Sequence, residues 1–132
     1  ELMPVAGTPF DFNTPKSIGC DIGADDVQMR LAGGFDHNYA LRGDGAAAEA
    51  WCEASGICMA VSTNLPGIQL YTGNFLDGSV AMKGGRYANK HRAFCLETQY
   101  FPDAVNHADF ETPVTAAGEC KEYTTRFAFS VK

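Results

Sequence analysis

The chain has no Cys-x-x-Cys pair, no histidine cluster, no long apolar run and no excess of positive charge. Each absence removes a class of function. Zinc sites draw on closely spaced thiolates and imidazoles, so three scattered histidines and the cysteines at 20, 52, 58, 95 and 120 predict no metal. An odd count of five cysteines demands no disulfide framework. Cys52 and Cys58 flank "EASGI" and face each other across a hairpin as either a bridge or two free thiols. A reducing, cytoplasmic compartment is the expectation. Crossing a bilayer takes about 20 apolar residues, and no run here approaches that, so no membrane span is expected. Sixteen acidic against ten basic residues leave a net charge of −6, which argues against a surface built for nucleic acid or anionic lipid. The opening "ELMPVAGTPFDF" carries neither a charged n-region nor an apolar h-region, and it lacks an initiator Met. A fragment or processed product is expected.

Helical periodicity is also scarce; "IGADDVQMR" offers one short turn. Strand patterns fill the space. In "ICMAVSTN", Ile57, Met59, Val61 and Thr63 recur with period two. In "KEYTTRFAFSVK", Tyr123, Thr125, Phe127, Phe129 and Val131 face one way, and Thr124, Arg126, Ala128 and Ser130 the other, which predicts a half-buried antiparallel strand. "DHNYALR", "EAWCEA", "GIQLYTG" and "AFCLETQYF" are further strands, each closed by Gly, Pro, Asn or Asp. Asp44-Gly45 and Asp77-Gly78 mark turns. With 14 glycines and six prolines between short strands, the fold class is all-β, a sandwich or barrel in one domain over residues 1–132. Residues 78–92 read as a loop holding Lys83, Arg86, Lys90 and Arg92. That loop is either an anion contact or a solvated surface in an acidic chain.

Three segments set polar groups against aromatic ones: the opening stretch, "GGFDHNYAL" and "LPGIQLYTGNFLDG". In these and in "AFCLETQYF", Asp36, Gln69, Asn74, Glu97 and Gln99 are suited to grip hydroxyls beside aromatic faces, the mixture a sugar ring requires. Residue type alone allows other readings. Asp36 equally suits a turn acceptor, Gln69 a surface strand position, and Glu97 the open face of a sheet. Inside an apolar strand, a carboxylate such as Glu97 costs free energy unless it is paired, hydrogen-bonded or used.

The ordered segments "VAGTPFDFNTPKSIG", "GGFDHNY", "PGIQLYTGNFLDG" and "FCLETQYFPDAVNH" resemble the successive signatures of aldose 1-epimerases, the galactose mutarotases, from Leu2 to Phe129. The resemblance implies an antiparallel β-sandwich of the supersandwich type, of which this chain is the C-terminal portion. It implies an isomerase that interconverts α and β anomers of aldohexoses such as galactose and glucose, without metal or redox cofactor. By resemblance, Glu97 in "CLETQ" is the general base that takes the anomeric hydroxyl proton. Asp36 in "GGFDHN" and Gln69 in "PGIQLYTGN" are substrate-binding groups.

Members of the family are well over twice as long, and the resemblance places the catalytic acid, a histidine, in a part absent from these residues. His37, His91 and His107 lie outside its context: His37 reads as structural or as a support behind Asp36, His91 as exposed, and His107 as ordering a turn. A half sandwich leaves strand edges and half a core uncovered, so a protein partner is expected: the N-terminal half, a second copy or a larger assembly. The rival expectation is a non-catalytic carbohydrate-binding or structural subunit derived from a mutarotase. A relative acting on hexose 6-phosphates rests on the basic loop alone.

Overall fold

A computed structural model describes residues 1–43 and 45–132. Asp44, and with it the expected Asp44-Gly45 turn, lies outside the described residues. Among the described residues eight strands carry the fold: β1 Asp36–Ala40, β2 Gly45–Trp51, β3 Ile57–Thr63, β4 Gly67–Tyr71, β5 Asp77–Ala81, β6 Tyr87–Asn89, β7 Cys95–Gln99 and β8 Thr125–Val131. They form sheets in the orders β1-β4-β7, β2-β3-β8 and β5-β6. The all-β reading holds. The one α-helix, α1, is Val27–Ala32 among the described residues. The contacts divide into two compact units, Glu1–His37 with Leu70–Leu96, and Asn38–Gln69 with Glu97–Lys132.

In the first unit, "ADDVQMRLAGG" encodes both ends of α1. The Asp26 carboxylate accepts the backbone N–H groups of Gln28 (2.7 Å) and Met29 (3.3 Å), which have no partner within the helix. Gly33 closes the helix at φ 69° and donates its N–H to the Met29 carbonyl, a left-handed cap that side chains disfavour. Met29 and Phe35 are buried there. Phe35 packs edge-on to Phe10 at 6.0 Å and tilted against Phe12 at 5.3 Å between ring centroids. The opening stretch thus contributes aromatic core.

The same unit corrects two expectations. Residues 78–92 are not an open loop: β5 and β6 pair as an antiparallel hairpin, Asp77 opposite Asn89 and Ala81 opposite Tyr87, with an irregularity between. Asp77-Gly78 begins a strand rather than forming a free turn, and Gly78 takes φ 80° there. A positive φ beside a bulge serves strand irregularity as well as it serves a turn, so the dipeptide alone does not choose. Lys83, Arg86, Lys90 and Arg92 are all exposed and make no ion pair among the described residues.

In the second unit, β3 lies between β2 and β8. Its register with β8 is unbroken from Ile57 opposite Val131 to Thr63 opposite Thr125. The predicted alternation is therefore present: Ile57, Met59, Val61 and Thr63 share a face with Val131, Phe129, Phe127 and Thr125. Burial is another matter. Val61 and Thr63 are buried at one end, while Phe127, Phe129, Val131 and Ile57 are exposed. The apolar face of β8, expected to be half-buried, is largely uncovered, because no element of this unit lies over its outer half.

Cys58 is buried and donates its Sγ–H to the Glu49 carboxylate at 3.3 Å. That bond and the nearby Lys132 ammonium hold the Glu49 carboxyl below its usual range. Cys52 is exposed and free, so the hairpin carries two thiols rather than a bridge. Its thiol is pulled below the usual range chiefly by a hydrogen bond from the Ser55 side chain. Thiolate is the reactive form. Iodoacetamide should therefore modify Cys52 in the native protein and Cys58 only after unfolding. A Cys52–Cys58 crosslinked peptide in a non-reducing digest would contradict this arrangement.

Candidate active site

Glu97 and Gln69 lie in the second unit, on β7 and β4, which neighbour each other in the strand order. Alternation along β7 places Cys95, Glu97 and Gln99 on one face and Leu96 and Thr98 on the other. Thr98 anchors that second face, its hydroxyl 2.5 Å from the Thr125 hydroxyl, which in turn lies 3.3 Å from that of Thr63. With one face of β7 tied to β8, Glu97 is directed to the other. It is exposed, not wrapped in apolar side chains. The expected cost of a carboxylate in a strand core is absent, because the aromatic residues that follow it in sequence do not pack over it.

On β4, Ile68 and Leu70 are buried on one face, while the other face begins with buried Gly67 and continues with half-buried Gln69 and Tyr71. The side-chain carbonyl oxygen of Gln69 is buried. Gly67 is needed for close packing: a Cβ there would come within 2.6 Å of Asn38 Oδ1 and 3.1 Å of the Phe101 ring.

Asp36 falls in the first unit, half-buried at the start of β1. Its neighbours are joined by a closed set of hydrogen bonds. On one side, Phe35 has its backbone N–H accepted by the Thr72 hydroxyl at 3.0 Å. The Phe35 carbonyl accepts from Thr72 N at 3.1 Å and from the Asn74 amide at 2.9 Å. The Thr72 hydroxyl donates to Asn74 Oδ1 at 2.7 Å, closing the ring of bonds. On the other side, the Asp36 N–H donates to Nδ1 of His37 at 3.0 Å. Asn74, expected among the hydroxyl-gripping groups, is instead buried with its amide committed to Phe35.

His37 is half-buried with Phe10 at 4.5 Å, and this burial lowers the imidazole pKa against the opposing pull of the Asp36 and Asp26 charges. The direction fixes a pH dependence. The unfolded chain binds the proton more readily than the folded one between the lowered value and about 6.5, so stability falls as pH drops through that window and is level above it. Protonating Nδ1 would also remove the acceptor for Asp36 N–H. Urea midpoints at pH 7.5 and 5.5 should show a larger acid loss for the wild type than for His37→Gln. Equal losses would exclude His37 as the source.

The other two histidines are engaged elsewhere. His91 Nε2 bonds the Gly33 carbonyl at 3.0 Å. The His107 ring lies 3.4 Å from the Asp103 carboxylate and 4.9 Å from the Phe110 ring, and the His107 backbone N–H donates to the Ala104 carbonyl. Two open cavities of about 250 Å³ lie elsewhere. One, lined by Tyr100, Glu111, Lys121 and Tyr123 among others, is in the second unit. The other, beside Met29, Arg30, Lys90 and His91, is in the first. Neither is lined by Asp36, Gln69 or Glu97.

The profile of the family described as aldose 1-epimerase matches residues 1–128. The chain belongs to the aldose 1-epimerase family. It is 43% identical over 134 residues to the galactose mutarotase of Homo sapiens, covering 99% of this chain and 38% of the relative. It is 35% identical over 128 residues to the aldose 1-epimerase of Escherichia coli K12, covering 94% of this chain and 36% of the relative. Among solved structures, a galactose 1-epimerase from Lactobacillus acidophilus superposes with a TM-score of 0.56 at 34% identity, over 73% of this chain and 29% of that one. The chain thus spans under two fifths of the length of these family members.

The residues singled out from the sequence lie on strands, Asp36 at the start of β1, Gln69 on β4 and Glu97 on β7. Sequence reasoning passed over Thr72. A small hydroxyl in "YTGN" carries no chemical signal; only its burial and its bond to Phe35 mark it. Among the described residues no group of three or more His, Cys, Asp or Glu is placed to hold a metal ion, and no helix is long and apolar enough to cross a membrane.

Proposed function

We propose that this chain is the base-bearing part of an aldose 1-epimerase acting on aldohexoses of the galactose and glucose type. The observation that carries the reading is family membership along residues 1–128, with names of galactose mutarotase and aldose 1-epimerase among the relatives. Those names give no support to a non-catalytic subunit.

In this reading Glu97 takes the proton from the anomeric O1–H while an acid gives one to the ring oxygen, which opens the hemiacetal to the aldehyde. Rotation about C1–C2 presents the other carbonyl face, and reclosure returns both protons. A carboxylate suits the first task because it accepts a proton without becoming a charged acid. Its exposed position on β7 supports this role, since a base must reach substrate. Gln69 and Asp36 hold ring hydroxyls, the amide as donor and acceptor and the carboxylate as acceptor. The acid is assigned to none of His37, His91 and His107, whose ring contacts described above serve the local fold, and is expected outside these residues. The exposed row of Ile57, Phe129 and Val131 supports a further layer over this sheet in the working protein.

Polarimetry of α-galactose with the complete natural protein tests the activity. Mutarotation no faster than in buffer alone would end the proposal.

A further inference from the structure

Asp36 is a carboxylate on the first residue of a strand, a place where chain ends ordinarily loosen. Here the preceding residue is held unusually firmly. Phe35 is 0% exposed, Thr72 2% and Asn74 6%. Both backbone polar groups of Phe35 are bonded by side chains: its N–H to the Thr72 hydroxyl, and its carbonyl to the Asn74 amide as well as to the Thr72 backbone N–H, with Thr72 and Asn74 bonded to each other. The neighbouring Gly34 completes the fit. Its φ of 144° disfavours any side chain, and a Cβ there would collide with Asn74 Oδ1 and lie 2.9 Å from the Thr72 hydroxyl. A glycine, a threonine and an asparagine are thus fitted around the backbone of one residue, Phe35, which directly precedes Asp36.

A buried polar ring of this kind stabilises only when every member is satisfied. An apolar core around Phe35 needs none of it, because Phe10, Phe12 and Phe35 already pack there. What the ring adds is direction. It fixes the plane of the Phe35–Asp36 peptide, and with it the Cα–Cβ vector of Asp36, while His37 holds the Asp36 N–H from the other side. Binding groups work when their own positions are locked by the surrounding hydrogen bonds.

We propose that Thr72 and Asn74 are positioning residues that aim the Asp36 carboxylate at a sugar hydroxyl. The inference rests on the reading of Asp36 as a hydroxyl-binding group. It makes a definite kinetic prediction. An interaction made equally in ground and transition states shows in KM more than in kcat, so misdirecting Asp36 should raise KM.

The experiment is a double-mutant cycle in the complete protein, with galactose as substrate and KM and kcat measured separately. Asp36→Ala and Thr72→Val should each raise KM by roughly tenfold, about one hydrogen bond to a charged group, with kcat within about threefold. Combined, they should raise it no further than Asp36→Ala alone, because Thr72 acts through Asp36. Thr72→Ser keeps the hydroxyl and should restore KM to near the wild-type value. Asn74→Asp removes the donor to Phe35 but keeps the acceptor for Thr72, and it serves if Thr72→Val does not fold. It should raise KM in the wild-type background and not in Asp36→Ala. Equal KM effects of Thr72→Val or Asn74→Asp with and without Asp36 would overturn the positioning role while leaving Asp36 as a binding group. An unchanged KM for Asp36→Ala would overturn the reading of Asp36 itself, and the positioning role with it.

Discussion

Replacing Glu97 by Gln in the complete protein is expected to lower kcat for galactose mutarotation by roughly 10²–10⁴-fold, the usual contribution of one positioned acid–base group. In free energy this is about 3–5 kcal/mol of lost transition-state stabilisation. The substitution keeps the volume and the hydrogen-bonding shape of the side chain, but an amide does not take up a proton near neutral pH. KM should change little, since proton removal belongs to the transition state. Structural damage is not expected to account for the loss. Glu97 is exposed, makes no ion pair among the described residues and sits on a strand anchored through Thr98 on its other face. Polarimetry with the spontaneous rate subtracted, together with a circular-dichroism check of the fold, measures the effect. A variant turning over within twofold of the wild type would remove Glu97 from the role of base.

Truncating Phe35 to Ala should cost about 3–5 kcal/mol of stability, the range for large aromatic side chains lost from a packed core. Against the roughly 5–15 kcal/mol that holds a typical domain together, this is a large fraction. The reasons are local. Phe35 is fully buried, two other phenylalanines pack on it, and its backbone is the centre of the Thr72–Asn74 ring. Val27→Ala, at an exposed position of α1, should stay within about 0.5 kcal/mol and serves as the control. Urea unfolding curves read both, with a shift of midpoint at constant slope for Phe35→Ala. A loss below about 1 kcal/mol would show that the core of this unit is centred elsewhere.

Sequence and structure agree best where a local pattern is itself the physical cause. Alternation in "ICMAVSTN" and "TRFAFSV" set which side chains share a face, and the register from Ile57–Val131 to Thr63–Thr125 follows it. Asp26 and Gly33 bracket α1 as N-cap and left-handed C-cap, although the pattern promised only a short turn. Burial was less legible. Phe129 and Val131 alternate as core residues do and are exposed, because burial depends on a second layer that the strand's own residues do not specify. The basic segment, expected as a loop, instead pairs on either side of Gly84-Gly85 as a hairpin.

By itself the sequence determined the all-β class, a net charge of −6, and the ordered motifs that place this chain among the aldose 1-epimerases. These are properties of composition, of period-two alternation and of residue order, and none needs contacts distant in the chain. The tertiary structure decided that Glu97 is exposed rather than buried, that Asn74 is buried with its amide bonded to Phe35, and that Thr72 is buried with its hydroxyl on the Phe35 N–H. Each of these depends on which residues meet across long separations: Phe35 meets Thr72 and Asn74 from nearly forty positions away, where no local pattern reaches.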